Sequence, residues 1–334
     1  MLVVVLCMIM AAPQPGMAVD VLAPKIAKQF KDFTLKEMQQ NMIHIDLSTA
    51  TYADFGNPYM VVSSTDAAWV SVPAAILNVI PLPVRQILGI VEGVPFRVLQ
   101  NLFSVDLCCG KARLSRWVHY LGYKSIPIDI NIDKRFDLTS LAGLALTTIL
   151  VLRIVPGGLL MNAPQCSLWV WISRSVHKRS KAAPYGDLSN AKVVEANKLN
   201  KSVSMLCSLA HACNVYYLIE QPGTSQFFHT PEQQHMIEDS SAKSININLG
   251  DWGHSMKKRT ILVGTVPWLQ NLKAKAKTIK GRVRKNMKAK HKSSAAWVKS
   301  SDGKVTGKKK ELKASQLYPV SFAFELAWQH LNAR

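Results

Sequence analysis

Apolar and polar positions alternate in blocks from residue 102 onward, and each block predicts one element of secondary structure. The apolar run at 102–107 predicts a buried strand, and small residues follow it at 108–112. A helix is predicted next, because apolar residues recur at helical spacing: Leu114, Trp117, Val118 and Leu121. Gly122 ends this helix, and a second strand is predicted at 125–130. The order strand–loop–helix–strand is that of a βαβ crossover.

The same alternation continues to residue 264. Further elements are predicted on the same pattern: helices at 138–153 and 192–213, and strands at 159–162, 215–219 and 261–263. Pro156, Gly157 and Gly158 predict a turn ahead of the third strand. Strands that alternate with helices over this length predict an α/β fold with a doubly wound, mostly parallel sheet.

The rest of the chain divides by composition. The first 95 residues show no clear pattern beyond helical spacing at 25–42 and a proline-broken apolar stretch at 67–98. Lysine-rich sequence near the C-terminus predicts a basic insertion of low order, and an aromatic, apolar stretch after it predicts a helix. The predicted organisation is a region of unclear structure at 1–95, the α/β domain at 96–268, the basic flexible segment at 269–315 and a C-terminal helix at 316–334 that could pack back on the domain.

Positive charge is concentrated in one segment near the C-terminus. The 334 residues carry a net charge of +20, and residues 271–313 alone hold 16 Lys or Arg against Asp302 and Glu311. Lysines that neutralise phosphates give salt-sensitive affinity for nucleic acid, which is the partner that this segment predicts. A solvated insertion that serves as a localisation signal is the alternative.

The six cysteines predict neither a metal site nor a disulfide framework. They show no paired CxxC spacing, and Cys108 and Cys109 are adjacent, which favours a reducing, intracellular compartment. That compartment would be nuclear if the chain acts on nucleic acid. The apolar run at 1–12 is too short to span a bilayer, so no membrane span is predicted. The run fits a signal-peptide core or a buried strand.

The loop after the first predicted strand is the main candidate for ligand binding. Doubly wound sheets bind ligands at the carboxyl ends of their strands, where a backbone built from small residues such as Gly110 and Ala112 can approach the ligand. Asp129 lies 19 positions after Gly110, at the end of the second strand, where an acid can accept hydrogen bonds from ribose. The loop lacks the G-x-G-x-x-G spacing of nicotinamide and flavin sites. An ordinary strand–helix turn with a surface aspartate remains the alternative.

The motif Val105-Asp106-Leu107-Cys108-Cys109-Gly110-Lys111-Ala112 resembles the first motif of class I S-adenosylmethionine-dependent methyltransferases. It is most similar to the version in DNA cytosine-5 methyltransferases, Asp-Leu-Phe-x-Gly-x-Gly. The resemblance implies a Rossmann-like methyltransferase fold and S-adenosylmethionine as the cofactor. It places Asp106 and Gly110 near the methionine moiety, Asp129 at the ribose and Asp137 near the adenine. The cofactor site that it implies is made by Asp106, Leu107, Cys108, Gly110, Ala112, Asp129, Asp137 and Pro164.

A second resemblance concerns the acceptor side. Ala163-Pro164-Gln165-Cys166 resembles the Pro-Pro-Cys loop of cytosine-5 methyltransferases, with Gln165 in place of the second proline. Cytosine C5 becomes nucleophilic only after a thiolate adds to C6, so the resemblance implies that Cys166 is the nucleophile. It implies that Glu220 assists at N3 and that Arg259 supports the pocket.

Two alternatives stay open at this point. Amino-group methyltransferases carry Asn/Asp-Pro-Pro-Tyr/Phe at this loop, and Asn162-Ala163-Pro164-Gln165 keeps the Asn and one Pro. A small-molecule acceptor would fit the same fold. The second alternative is a catalytically degenerate relative that binds nucleic acid through residues 271–313.

Overall fold

The computed structural model describes residues 68–70, 80–89, 96–254, 257–273, 275, 297–299, 301, 305–307 and 316–333. Its strands are β1 (Ala68–Val70), β2 (Phe96–Val98), β3 (Leu102–Leu107), β4 (Ser125–Ile128), β5 (Ile154–Asn162), β6 (Tyr216–Pro222), β7 (Lys243–Asn248), β8 (Arg259–Gly264), β9 (Trp297–Lys299) and β10 (Val305–Gly307). Its helices are α1 (Leu82–Leu88), α2 (Arg113–Tyr120), α3 (Leu141–Leu152), α4 (Arg174–His177), α5 (Ala191–Ala212), α6 (Pro231–Asp239) and α7 (Val320–Asn332).

Six of these strands form one twisted sheet in the order β4-β3-β5-β6-β8-β7. The first four run parallel to one another, while β8 runs antiparallel to both of its neighbours. The predicted α/β fold with a mostly parallel sheet is therefore confirmed. The strand β4 lies on one side of β3, and β5 lies on the other side. The strand order therefore reverses at β3, and the carboxyl end of β3 is the switch point of the sheet.

Helices cover both faces of the sheet and bury two separate apolar cores. One core lies between the sheet and α1, α3, α5 and α6, and the other lies between the sheet and α2 and α7. All six residues of β3 are buried, as expected for a central parallel strand with both faces covered. Because β3 is shielded from water, its polar side chains need hydrogen-bond partners within the protein.

The turn predicted at Pro156, Gly157 and Gly158 is wrong, because β5 runs through these residues. Gly157 has a φ of 74° and donates its N–H to the carbonyl of Asn214 at 2.7 Å. A Cβ on Gly158 would lie 2.7 Å from the carbonyl oxygen of Phe103, so glycine permits the two strands to approach. The glycines make an irregular strand start, with a shifted register against β3.

Among the elements that the sequence did not predict, α6, β7 and α1 pack against the main sheet or its helices. The helix α6 is largely polar and buries only Gln233 and Met236, so its apolar periodicity is weak. The edge strand β7 buries Ile245 and Ile247 on alternate positions and has polar residues between them. The helix α1 belongs to the region predicted to lie outside the domain, yet it packs against α3 and contributes to that core.

Several predicted features lie outside the described residues: the apolar run at 1–12, the helix at 25–42 and most of the basic segment. Within that segment the structure describes β9 and β10, which pair as an antiparallel two-stranded sheet. The last helix, α7, lies against α2, where the indole Nε1 of Trp117 donates to the carbonyl of Val320 at 3.2 Å.

No helix in the described residues combines the length and the apolar content that crossing a bilayer requires. No group of three or more His, Cys, Asp and Glu side chains in the same parts of the chain could hold a metal ion.

Candidate functional site

The loop after β3 is shaped by three residues with left-handed backbone. Cys108, Gly110 and Ala112 have φ values of 53°, 56° and 50°. The amide of Cys109 donates to the carbonyl of Ile128, the last residue of β4, at 3.2 Å. Because a Cβ on Gly110 would meet nothing within 4 Å, the space beside this glycine is open. The loop is thus tied to β4 while its glycine faces a space that a ligand can enter.

Asp129 closes the same loop from the other side. Its Oδ2 accepts a hydrogen bond from the backbone N–H of Gly110 at 2.9 Å. Its Oδ1 accepts from the backbone N–H and the side-chain amide of Asn131 at 2.8 and 2.7 Å. The side chain is 8% exposed. The structure therefore brings together the glycine and the acid that the sequence paired, and the carboxylate keeps lone pairs for a further donor.

Asp106 lies at the end of β3, 1% exposed. Its Oδ2 accepts from the hydroxyl of Ser115 at 3.4 Å, and its Oδ1 has no hydrogen-bond partner among the described residues. Burial raises the pKa of this carboxyl to about 7, against hydrogen bonds from Ser115 that lower it. A buried carboxylate with an unused oxygen is suited to a cationic group.

The resemblance also places Leu107, Cys108 and Ala112 in the cofactor site. Leu107 is fully buried, and its carbonyl accepts from the N–H of Ala163 at 3.0 Å, which joins the loops after β3 and β5. Burial first, and then the charge of Asp129, raises the pKa of the Cys108 thiol to about 12. This thiol is therefore neutral near pH 7. Ala112 is 4% exposed and begins α2.

Asp137 makes a local turn ahead of α3. Its Oδ1 accepts from the backbone N–H and the hydroxyl of Thr139 at 2.9 and 2.7 Å. Its carbonyl accepts from the hydroxyl of Ser140, whose side chain in turn caps the helix at Gly143. These contacts give Asp137 a capping role, and a contact with adenine stays a prediction.

The loop after β5 is fixed from β6. The side chain of Gln221, fully buried, donates to the carbonyl of Pro164 at 2.7 Å and accepts from the hydroxyl of Ser225 at 2.9 Å. The amide of Gln165 donates to the hydroxyl of Ser167 at 3.1 Å. Gln221 thus holds the loop that carries Cys166.

Cys166, Glu220 and Lys258 lie close together beside this loop. Burial raises the pKa of the Cys166 thiol, the Lys258 ammonium lowers it, and the Glu220 carboxylate raises it. The Nζ of Lys258 lies 3.2 Å from Oε1 of Glu220, an ion pair without hydrogen-bond geometry. The structure therefore brings together the predicted nucleophile and the predicted acid, and it adds a cation.

Arg259 is placed differently from its prediction. Its side chain is exposed, and its backbone carbonyl accepts from the N–H of Gly223 at 2.9 Å. The contact with Glu220 comes instead from Lys258, the residue before β8. Lys258 therefore makes the contact with Glu220, and support of the pocket by Arg259 stays a prediction.

A buried arginine organises the chain that follows Cys166. The guanidinium of Arg179 lies 3.5 Å over the ring of Trp169. It donates to the carbonyls of Leu168 and Pro184 and to the side chain of Asn197, at 2.6 to 2.8 Å. Burial lowers the pKa of Arg179 to about 10, so the residue is still charged at neutral pH. It holds the loop between β5 and α5 in one arrangement.

Tyr318 reaches the site from the far end of the chain. Burial raises its pKa well above 10, followed by the charges of Glu220 and Asp106. Its hydroxyl is buried and has no hydrogen-bond partner among the described residues. Four further residues of this site were not predicted from the sequence: Ser115, Gln221, Lys258 and Tyr318. Gln221 and Lys258 are direct neighbours of Glu220 and Arg259, which the resemblance named, and Tyr318 lies in the segment predicted as a C-terminal helix.

No model of a known protein family matches the chain. No curated protein shows significant sequence similarity to it. The site is therefore interpreted from its own geometry.

Proposed function

We propose that this chain binds S-adenosylmethionine at the carboxyl ends of β3 and β4 and transfers its methyl group to an acceptor beside β5 and β6. The hydrogen bond from Gly110 to Asp129 carries the proposal, because it places an acid and an open glycine at the switch point of a doubly wound sheet. The sheet order, with one reversed strand between β6 and β7, resembles that of class I methyltransferases.

The residues at this edge fit the chemical groups of the cofactor. Asp129 offers a carboxylate to the ribose hydroxyls, and the unused Oδ1 of Asp106 offers one to the ammonium of the methionine moiety. Ile130, directly after Asp129, is half exposed and gives an apolar surface for the adenine ring. S-adenosylmethionine supplies a methyl group activated by its sulfonium.

Cytosine in nucleic acid is the acceptor that we favour. The Glu220 carboxylate is close enough to Cys166 to raise the pKa of its thiol, and a nucleophile and an acid that act on one ring need such proximity. Gln221 fixes the loop that presents the thiol. The net charge of +20 fits a polyanionic partner, with residues 271–313 as its main contact.

One observation favours a catalytically degenerate relative that binds nucleic acid without methyl transfer. Burial raises the pKa of the Cys166 thiol above its ordinary value even with Lys258 beside it, so the thiol is protonated at neutral pH. An amino-group acceptor is less favoured, because the side chain of Asn162 is fully buried and donates to the Sγ of Cys207 at 3.4 Å, inside the core.

Isothermal titration with S-adenosylmethionine tests the cofactor site. We expect saturable binding to the full chain, and a loss of about tenfold or more in Asp129→Asn, because that variant removes a charge-assisted acceptor. Asp239→Asn is the matched control, since this exposed acid on α6 pairs only with His235.

The titration separates the alternatives. Equal affinity in Asp129→Asn and in Asp239→Asn would place the cofactor elsewhere. Absence of binding to the folded wild-type chain would remove the methyltransferase proposal. If cofactor binding is present, transfer of a labelled methyl group to cytosine-containing DNA, abolished in Cys166→Ala, then distinguishes the enzyme from the degenerate relative.

A further inference from the structure

Two arginines lie side by side on α2, directly after the loop at 108–112. Arg113 and Arg116 are three residues apart, so their side chains leave the same face of the helix, with Cβ atoms about 5–6 Å apart. The backbone N–H of Arg116 donates to the carbonyl of Ala112 at 3.0 Å, which joins the first turn of α2 to the loop. Arg113 follows Gly110 by three residues, a span of at most about 11 Å. Both side chains therefore start within reach of the open space beside this glycine.

Neither arginine is fully solvated, and neither has an acidic partner. Both residues are half-buried, and the Nε of Arg116 is shielded from solvent with no hydrogen-bond partner among the described residues. The ion pairs in the described part of the chain include neither Arg113 nor Arg116. A buried donor of a charged group destabilises the fold if it is unpaired, so it marks a place where a ligand can complete the bonding.

The charges around this pair are also unbalanced. Burial lowers the pKa of both guanidinium groups, and the charge of Arg113 lowers the pKa of Arg116 further. The Cys109 thiol acts in the opposite direction, but it is neutral near pH 7, because burial raises its own pKa. The first turn of α2 contains no acid, although the positive end of a helix dipole favours one. An anion beside the two arginines would remove this imbalance.

We infer that Arg113 and Arg116 bind an anionic oxygen group, a carboxylate or a phosphate, of a ligand that occupies the space beside Gly110. A guanidinium group has several N–H donors in one plane, and their spacing matches the oxygens of either anion. The group has two possible sources: the carboxylate of the methionine moiety of S-adenosylmethionine, and a phosphate of a nucleic-acid acceptor. Both sources rest on the proposed function, whereas the binding of an anion by the two arginines does not.

Arg116→Gln tests the site, because it removes one charge together with the buried donor. Thermal unfolding of the full chain is measured in about 20 mM inorganic phosphate and in chloride of equal ionic strength. We expect phosphate to raise the melting temperature of wild type by about 2–4 °C and that of Arg116→Gln by less than about 1 °C. Arg113→Gln should show the same loss, which guards against a local folding defect at Arg116. Arg174→Gln is the matched control, since it removes one charge from an exposed arginine on α4 and should keep the whole effect.

Two titrations then distinguish the sources of the anion. If the cofactor carboxylate occupies the site, Arg116→Gln should bind S-adenosylmethionine about tenfold more weakly than wild type does. Decarboxylated S-adenosylmethionine should then bind equally to both. If a nucleic-acid phosphate occupies the site, cofactor affinity should be unchanged. The slope of log affinity for single-stranded DNA against log salt should instead decrease in magnitude by about 0.7 in Arg116→Gln.

The phosphate measurement decides first whether the site exists. Equal stabilisation of wild type and Arg116→Gln, or stabilisation of neither, would overturn the inference. A phosphate effect that depends on Arg116 while both titrations stay unchanged would mean an adventitious ion only, and would overturn it as well. Failure of wild type to bind S-adenosylmethionine would remove the proposed function, and the phosphate and DNA measurements would still decide the role of the two arginines.

Discussion

The two halves of the site differ in how they are built. The donor half comprises the loop at 108–112, Asp106 and Asp129, and the acceptor half comprises Cys166, Glu220, Lys258 and Tyr318. In the donor half, backbone conformation and one amide–carboxylate bond set the geometry within 24 consecutive residues. In the acceptor half, side chains from four distant segments meet, and the fit depends on the whole fold.

This difference separates binding from chemistry. The proposed donor half depends on a glycine, an acid and the order of the strands, and the structure contains these three features. The proposed acceptor half depends on a cysteine and a glutamate, and Lys258 is paired with the glutamate. The proposed cofactor site therefore depends on fewer parts of the fold than the proposed acceptor site. Substitutions in the two halves should have separable effects on cofactor binding and on the acceptor site.

The largest expected effect concerns Asp106. Its folded-state pKa of about 7 exceeds the ordinary 3.8, so between these values the folded protein holds a proton that the unfolded chain has lost. Its contribution to stability is thus complete below about pH 4 and is lost as pH rises through 7. Three pKa units correspond to as much as about 4 kcal/mol. Asp106→Asn, which mimics the protonated form, should escape this loss. Urea unfolding at about pH 5 and pH 8 measures it, and parallel pH profiles would refute it.

The second effect compares two glycines with the same backbone. Gly110 and Gly89 have φ values of 56° and 63°, and a Cβ on either would meet nothing within 4 Å. Alanine at each position should cost about 1–2 kcal/mol, because a left-handed backbone strains any L side chain. Only Gly110→Ala should also weaken binding of S-adenosylmethionine, since Gly89 lies at the end of α1. Equal affinity of both variants for S-adenosylmethionine would show that the loop at 108–112 does not contact this ligand.

A smaller effect tests the acceptor half through the reactivity of Cys166. The ammonium of Lys258 lowers the pKa of this thiol, so Lys258→Gln should raise it and slow alkylation by iodoacetamide about threefold near pH 9. Lys257→Gln is the control, because that lysine is exposed. Peptide-mapped mass spectrometry follows Cys166 alone. Identical slowing in both variants would mean that general surface charge, and not Lys258, controls the thiol.

The smallest effect concerns Arg259. Its side chain is exposed, and its backbone carbonyl accepts from the N–H of Gly223, so Arg259→Gln should change the unfolding free energy by less than about 0.5 kcal/mol. Alkylation of Cys166 should also be unchanged. A clear decrease in the unfolding free energy or in the rate of Cys166 alkylation would show that the Arg259 side chain supports the pocket.

The sequence predicts the parallel part of the fold well, and the reason is local. Apolar runs or periodic apolar stripes mark the strands β3 and β4 and the helices α2, α3 and α5. Each of these elements begins and ends within a few residues of its predicted bounds. The edge strand β7 and the helix α6 have few buried apolar residues, so their pattern is weak. Pro156, Gly157 and Gly158 suggest a turn in the sequence, because the strand here depends on contacts of Gly157 with Asn214 and of Gly158 with Phe103 that are distant along the chain.

The site divides in the same way. Gly110 and Asp129 could be paired from their spacing, since a single crossover joins them. The placement of Lys258 and Tyr318 could not, because it depends on the reversed strand β8 and on the docking of α7 against α2. Whether a side chain such as Arg259 turns inward or outward at a strand start is a matter of tertiary packing, which spacing does not encode.

Hydrogen–deuterium exchange of the full chain, with and without S-adenosylmethionine, tests the central claim most directly. The account predicts slower exchange in the peptides that contain the loop at 108–112 and Asp129, with α6 unchanged as an internal control. Slower exchange confined to other parts of the chain, or none at saturating cofactor, would contradict a cofactor site at the carboxyl ends of β3 and β4.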